Sequence, residues 1–319
     1  MRRRITLVIV VLCCCVIAAA VALPFTGAAT AAVVAPAARS VTATPSVEST
    51  APSFESSRAI ANARSIASFG PRRMGHAAEA RAIRYVARRL AAYGYRVSTP
   101  LVRLPSGHWT RNVLAAKPGR SSKRIVIGAH IDTKAGSPGA NDNASGVGAV
   151  IELARVLRDA DTEATVVFAA FGGEERWATN PRGHHYGSKS FVSKLTPAGR
   201  ANISAMVSLD MIGVGTRFHV RSMGRARPTA VHALRAVASS RGSTMTYLRD
   251  TARYGSSDHE PFELAGIPSA WVQWRADPYY HTRRDTASRL SPSRVAAAGG
   301  TVADWLTGMD AASLKALRP

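Results

Sequence analysis

Three apolar runs of strand length in this chain end on an acid or an imidazole, and a fourth is followed closely by a histidine. Residues 124–129 lead into His130-Ile131-Asp132, residues 165–171 into Gly172-Gly173-Glu174-Glu175, and residues 203–209 into Asp210. The strand within residues 267–274 is followed by a loop carrying Tyr280-His281. A shorter strand over residues 111–115 precedes the Pro118-Gly119 turn. Helical patterns lie among these runs. Ile83, Val86, Ala87 and Leu90 share one face of residues 78–93, with Gly94 suited to the C-terminal cap. Val147, Val150, Ile151, Ala154 and Leu157 mark a second helix, residues 228–238 a third, and Ser291-Pro292 begins a last one through Leu306. Strands alternating with helices predict an α/β fold on a mostly parallel sheet. In such sheets ligands sit beyond the carboxyl ends of the strands. Residues spread from position 130 to 281 are therefore expected to converge.

The converging side chains suit metal chemistry. Imidazoles and carboxylates are the donors that zinc takes most readily. Two ions sharing one carboxylate need two histidines, a bridging acid and two further acids. His130, His281, Asp142, Glu175 and Asp210 supply that set. Asp142 lies in the small-residue loop Gly139-Ala140-Asn141-Asp142-Asn143-Ala144-Ser145-Gly146, where close approach of a ligand meets little bulk. The sixth group, Glu174, is then free to move the proton of a water. Asp132 is placed to hold the second ring nitrogen of His130, and Tyr280, with Tyr279 as a competing candidate, to donate to a developing oxyanion. Asp258 is expected as a buried acid near the cluster, His259 as a structural residue, and His184-His185 as a solvated loop.

The rest of the chain bounds the setting. Arg2-Arg3-Arg4 precedes an uncharged apolar run over residues 5–23, and Ala29-Thr30-Ala31 offers a small-residue cleavage site. Residues 1–31 are thus expected to be a signal peptide or an uncleaved signal anchor, with the remainder exported. All three cysteines lie in that run, so disulfides play no part beyond it. Residues 32–57, rich in Ala, Thr, Ser and Pro, are expected to be a disordered spacer before a catalytic body over 58–319. The formal charge of +22 is carried by scattered, mostly arginine residues without an aromatic-interleaved basic motif. A nucleic-acid partner is not expected, and adhesion to an anionic envelope accounts for the charge.

Several motifs together resemble the secreted bacterial leucine-type aminopeptidases with co-catalytic zinc, a zinc exopeptidase family that also contains the glutaminyl cyclases. They are Ala129-His130-Ile131-Asp132, residues 140–146, Gly173-Glu174-Glu175, Ser208-Leu209-Asp210-Met211-Ile212-Gly213, Ser257-Asp258-His259 and His281-Thr282-Arg283-Arg284-Asp285-Thr286. The resemblance implies one α/β/α sandwich domain around a mixed sheet of about eight strands. It also implies two Zn²⁺ per chain and removal of N-terminal residues from peptides with a free N-terminus. By position it assigns His130, Asp142, Glu175, Asp210 and His281 to the metals, Glu174 to the general base, Tyr280 to the oxyanion and Asp132 to orienting the first histidine. A monomer is expected. Residues 176–186 depart from the family's short glycine-rich link and would stand at the site rim. Two other readings remain: a glutaminyl cyclase-like acyl transferase, suggested by Asp258-His259-Glu260-Pro261-Phe262, and an inactive peptidase-like binding domain. Only 71 positions separate Asp210 from His281, too few for the lid domain of the related dimeric carboxypeptidases.

Overall fold

The computed structural model describes residues 53–176, 183–251 and 255–318. The predicted leader, most of the predicted spacer and part of the 176–186 segment lie outside them. Among the described residues no helix is long and apolar enough to cross a membrane.

The chain opens with helices α1 (Ser56–Ala67) and α2 (Ala77–Ala92), then a ribbon of β1 (Leu101–Arg103) and β2 (Trp109–Arg111). Next come β3 (Val113–Lys117), β4 (Ser121–His130), α3 (Gly146–Leu157), β5 (Ala164–Phe171), α4 (Tyr186–Ser193) and α5 (Pro197–Ala201). The second half runs β6 (Ile203–Leu209), β7 (Arg217–Ser222), α6 (Thr229–Ser240), β8 (Thr246–Arg249), α7 (His259–Leu264), β9 (Ser269–Arg275), α8 (Pro292–Thr307) and α9 (Ala311–Leu317).

The main sheet has the order β3-β5-β4-β6-β9-β7-β8. Its centre, β5-β4-β6-β9, is parallel throughout, while β3 and β7 pair antiparallel to their inner neighbours. Seven strands among the described residues stand where the resemblance implied about eight. Pairing moves outward from β4 to β5 on one side and to β6 and β9 on the other, so the switch in strand order falls at β4. That is where an open α/β sheet leaves a crevice.

Both faces of the central strands are buried, which explains their nearly unbroken apolar sequence. Ile125, Ile127, Val166, Phe168, Ala205 and Val207 point to a core completed by α1, α2, α3, α6 and α8. Their neighbours Val126, Val167, Phe171 and Met206 point the other way, against Val192 of α4 and Phe262 of α7. This is a three-layer α/β/α sandwich.

The helix ends follow their sequence signals. Gly94, at φ +86°, ends α2, and the Tyr95 amide returns to the Leu90 carbonyl at 3.3 Å. Ser291 accepts from the Arg294 amide at the start of α8. Two boundaries differ from expectation. The strand expected over 111–115 divides at Asn112, whose side chain leaves the ladder to bind Gly187 O and the Gly172 amide. The body also begins before Arg58, since α1 includes Ser56 and Ser57 and the Phe54 ring packs on Gly299 of α8.

Candidate functional site

The metal-type donors meet at the carboxyl edge of β4, β5, β6 and β9. His130 is the last residue of β4, Asp210 follows β6 directly, and Glu174 and Glu175 follow β5 after two glycines. His130 Nε2 lies 3.1 Å from Asp142 Oδ1 and 3.4 Å from Asp210 Oδ1. His281 Nε2 lies 3.1 Å from Asp142 Oδ2 and 3.2 Å from Glu175 Oε1. The two oxygens of Asp142 thus face different histidines, as a shared carboxylate would. Two of the three donor groups among the described residues lie here, His130 with Glu174 and Asp210, and Asp142 with Glu175 and His281, and the third is His184 with His185 and Glu260. Within each, the ligand atoms lie within 4.8 Å of one another.

The residues present fit a pair of divalent cations. Asp210 Oδ1 is buried without a hydrogen-bond partner, which is costly unless a cation is its partner. Glu174 and Glu175 are pushed up from the usual carboxylate range, first by burial. Burial would lower His130, but Glu174 and Asp210 hold it well above the usual histidine value. Asp142 is depressed despite its burial, because His130 and His281 face it. The protein alone can balance this crowd of buried acids only by taking up protons. Four carboxylates would equally balance two dications.

The ligand loops are held by amides. Asn143 Oδ1 accepts from the Gly146 amide at 2.9 Å, and its Nδ2 donates to Leu209 O at 2.9 Å. Asn141 Oδ1 accepts from the Gly213 and Val214 amides at 2.8 and 3.0 Å. The Asp142 loop is therefore stitched to the loop bearing Asp210. A Cβ at Gly146 would stand 2.0 Å from Leu209 O, so glycine is required there. From the other side, Asp285 accepts the Asn141 and Asp142 amides at 2.6 and 3.0 Å.

Asp132 reaches the site differently from expectation. Its backbone carbonyl, at 3.1 Å, and not its carboxylate, at 3.8 Å, is the partner of His130 Nδ1. The carboxylate instead accepts the Glu174 and Glu175 amides at 2.8 and 2.9 Å. The reason is geometric: β4 and β5 are parallel neighbours, and the side chain after one strand reaches the turn after the next. Asp132 therefore sets the backbone of both glutamates.

His184-His185 is not a solvated loop. Both side chains are buried, and His185 Nε2 lies 2.7 Å from Glu174 Oε1. Asp258 is fully buried, takes a hydrogen bond from Ser188 Oγ at 2.5 Å, and is pushed up to about 7, first by burial and then by Glu174. His259 is buried against Trp271 and lowered to about 3 by burial, as a neutral packing residue would be. Tyr280 is half exposed, stacks on His281, and lines a cavity of about 570 Å³ with the donors at its base. Desolvation, then Asp142 and Glu175, raise its phenol above the usual tyrosine value.

Sequence reasoning missed Arg72, which is completely buried. Its guanidinium donates to Ile131 O and Gly139 O at 2.8 Å each, and also to Pro138 O. It joins the segment after His130 to the loop before Asp142. The Arg72-Arg73 pair after Gly70-Pro71 carries no signal of this. Arg72→Met orphans the Ile131 and Pro138 carbonyls, takes one of two donors from Gly139 O, and is expected to cost about 3–5 kcal/mol of stability, read from urea unfolding. A loss below about 1 kcal/mol would contradict this role.

Comparison with known proteins agrees with this fold. The family model described as Peptidase family M28 matches residues 112–306, more than half of the chain. Aminopeptidase YwaD of Bacillus subtilis is 30% identical over 206 residues, covering 60% of this chain and 43% of that protein. The chain spans about half the length of the curated relatives it matches. Among solved structures, the zinc aminopeptidase BSAP from Bacillus subtilis superposes with a TM-score of 0.72 at 18% identity, covering 81% of this chain and 95% of that one. A Bacteroides thetaiotaomicron glutaminyl cyclase bound to N-acetylhistamine gives 0.70 at 21% identity, covering 82% and 100%. These two share the fold. By the extent of the sequence match, the chain belongs to peptidase family M28.

Proposed function

We propose that this chain is an exported zinc aminopeptidase that releases the N-terminal residue of peptides with a free N-terminus, using two zinc ions. One observation carries the reading. The two oxygens of Asp142 each lie 3.1 Å from a different histidine, and Glu174 stands beside the pair without being needed as a ligand. His130 and Asp210 would hold one ion, Glu175 and His281 the other, with Asp142 shared. Bound there, zinc supplies Lewis acidity toward a water and the scissile carbonyl.

The chain's own groups do the rest. Glu174 accepts the proton of the attacking water and returns it to the leaving amine. Tyr280 donates its hydroxyl to the carbonyl oxygen as charge builds there. Asp132 fixes both glutamates through their amides. Export follows from the arginine-led apolar run at residues 5–23, and the donor set makes a monomer a complete catalyst.

The test compares an unblocked peptide with its N-acetylated form. Release of free amino acid from the unblocked peptide alone is expected. Equal cleavage of both would contradict an aminopeptidase, and cyclisation of an N-terminal glutamine without cleavage would favour the acyl transferase.

A further inference from the structure

Behind Glu174, on the side away from the metal donors, lies a second buried group that the proposed reaction does not use. His185 Nε2 is 2.7 Å from Glu174 Oε1, while Glu174 Oε2 faces His130 Nε2 at 3.9 Å. The other ring nitrogen, His185 Nδ1, is 3.0 Å from Glu260 Oε2, close enough for an ion pair though off hydrogen-bond alignment. His184 Nδ1 lies 2.8 Å from the same nitrogen. His185 and Glu260 are 1% and 2% exposed, so water does not compete for these contacts.

The backbone fixes the arrangement further. The His185 amide donates to Glu174 O at 2.8 Å and the Tyr186 amide to Gly173 O at 2.7 Å. His185 takes φ +56°, a left-handed conformation in which asparagine is the best tolerated replacement after glycine. Nothing about a metal ligand requires this. Glu174 has two oxygens, one aimed at the reacting centre and one free to swing unless it is tied. The tie is an imidazole whose other nitrogen stands between His184 Nδ1 and the Glu260 carboxylate, contacts that fix the ring's orientation.

We propose that His185, braced by Glu260, is a positioning residue that holds the Glu174 carboxylate by Oε1 and leaves Oε2 to meet the water. The inference rests on Glu174 being the general base. Only residues from one chain take part, and the motif arises from the 176–186 segment that departs from the family pattern, together with Glu260 at the start of α7.

The test uses His185→Asn, which suits the backbone but is too short to reach Glu174, and His185→Gln, which can still donate from near the Nε2 position. For His185→Asn, kcat is expected to fall about 10²-fold, the cost of a misplaced group, with KM and zinc content unchanged. His185→Gln should recover about tenfold of that loss, and Glu260→Gln should fall between wild type and His185→Asn. Crystals of His185→Asn should show the Glu174 carboxylate turned from its wild-type position. Unchanged kcat, or a Glu174 that stays in place, overturns the proposal. So does loss of a zinc ion, which would make His185 a ligand. If the wild type cleaves no peptide, the aminopeptidase reading fails, but the crystallographic comparison still decides whether His185 sets Glu174.

Discussion

Glu174→Gln is expected to retain its full complement of zinc and its thermal stability while kcat drops by about 10²–10⁴-fold, the usual contribution of a positioned general base. Glutamine keeps the shape of the side chain and one oxygen, so any change reports the lost proton acceptor. The neighbouring Glu175 has its Oε1 3.2 Å from His281 Nε2 and 3.1 Å from the Lys134 amide, and so is already engaged by its neighbours. Glu174 has one oxygen on His185 and the other toward the His130 side. KM should change little, because the proton moves only along the reaction coordinate. A variant with turnover within a fewfold of wild type would remove Glu174 from the mechanism.

Asp142→Ala is the change with the broadest consequence. Among the described residues no other side chain pairs with both histidines, so its loss should weaken both ions at once, and measured zinc should fall toward zero per chain. Asp210→Ala, by contrast, is expected to lose mainly the ion beside His130. Zinc should stabilise the wild type, since ligand at about 1,000 times its dissociation constant contributes about 4 kcal/mol. Melting of Asp142→Ala should be insensitive to added zinc. The variant's own stability without metal should also fall, because Asp142 is held ionised by His130 and His281, a loss only partly offset by relief of repulsion on Glu175. Retention of two ions by Asp142→Ala would show that the carboxylate is not shared.

Much of this architecture was legible in the sequence, for a physical reason. Central parallel strands are buried on both faces, so 124–129, 165–171 and 203–209 read as apolar runs, and the candidate ligands sit where each run stops. Helices α2, α3, α6 and α8 showed their inner faces by spacing or their ends by caps. What stayed hidden lacked such periodicity. Strand β7 alternates Arg217, His219 and Arg221 with Phe218 and Val220, a polar-faced pattern overlooked beside the apolar runs. Helix α7 is six residues long, too short for a helical repeat to show.

Side chains whose role depends on distant contacts were the hardest to read. His185 looked like loop because nothing nearby in sequence announces Glu260, 75 positions on. Arg72 serves carbonyls about 60 residues away. Asp132 was placed correctly at the strand end, yet its carboxylate turned out to serve the neighbouring strand's turn. Sequence marks where chemistry-bearing residues leave a strand; the sheet's pairing decides which neighbour they meet.

The central claim is that two ions share Asp142 and that both are needed for peptide cleavage. The most direct measurement is to strip the protein of metal, titrate zinc back, and follow bound zinc per chain together with release of the N-terminal residue. The account predicts that binding saturates at two per chain and that full activity appears only with the second. Saturation at one per chain, with formation of pyroglutamate from an N-terminal glutamine peptide and no cleavage, would contradict it.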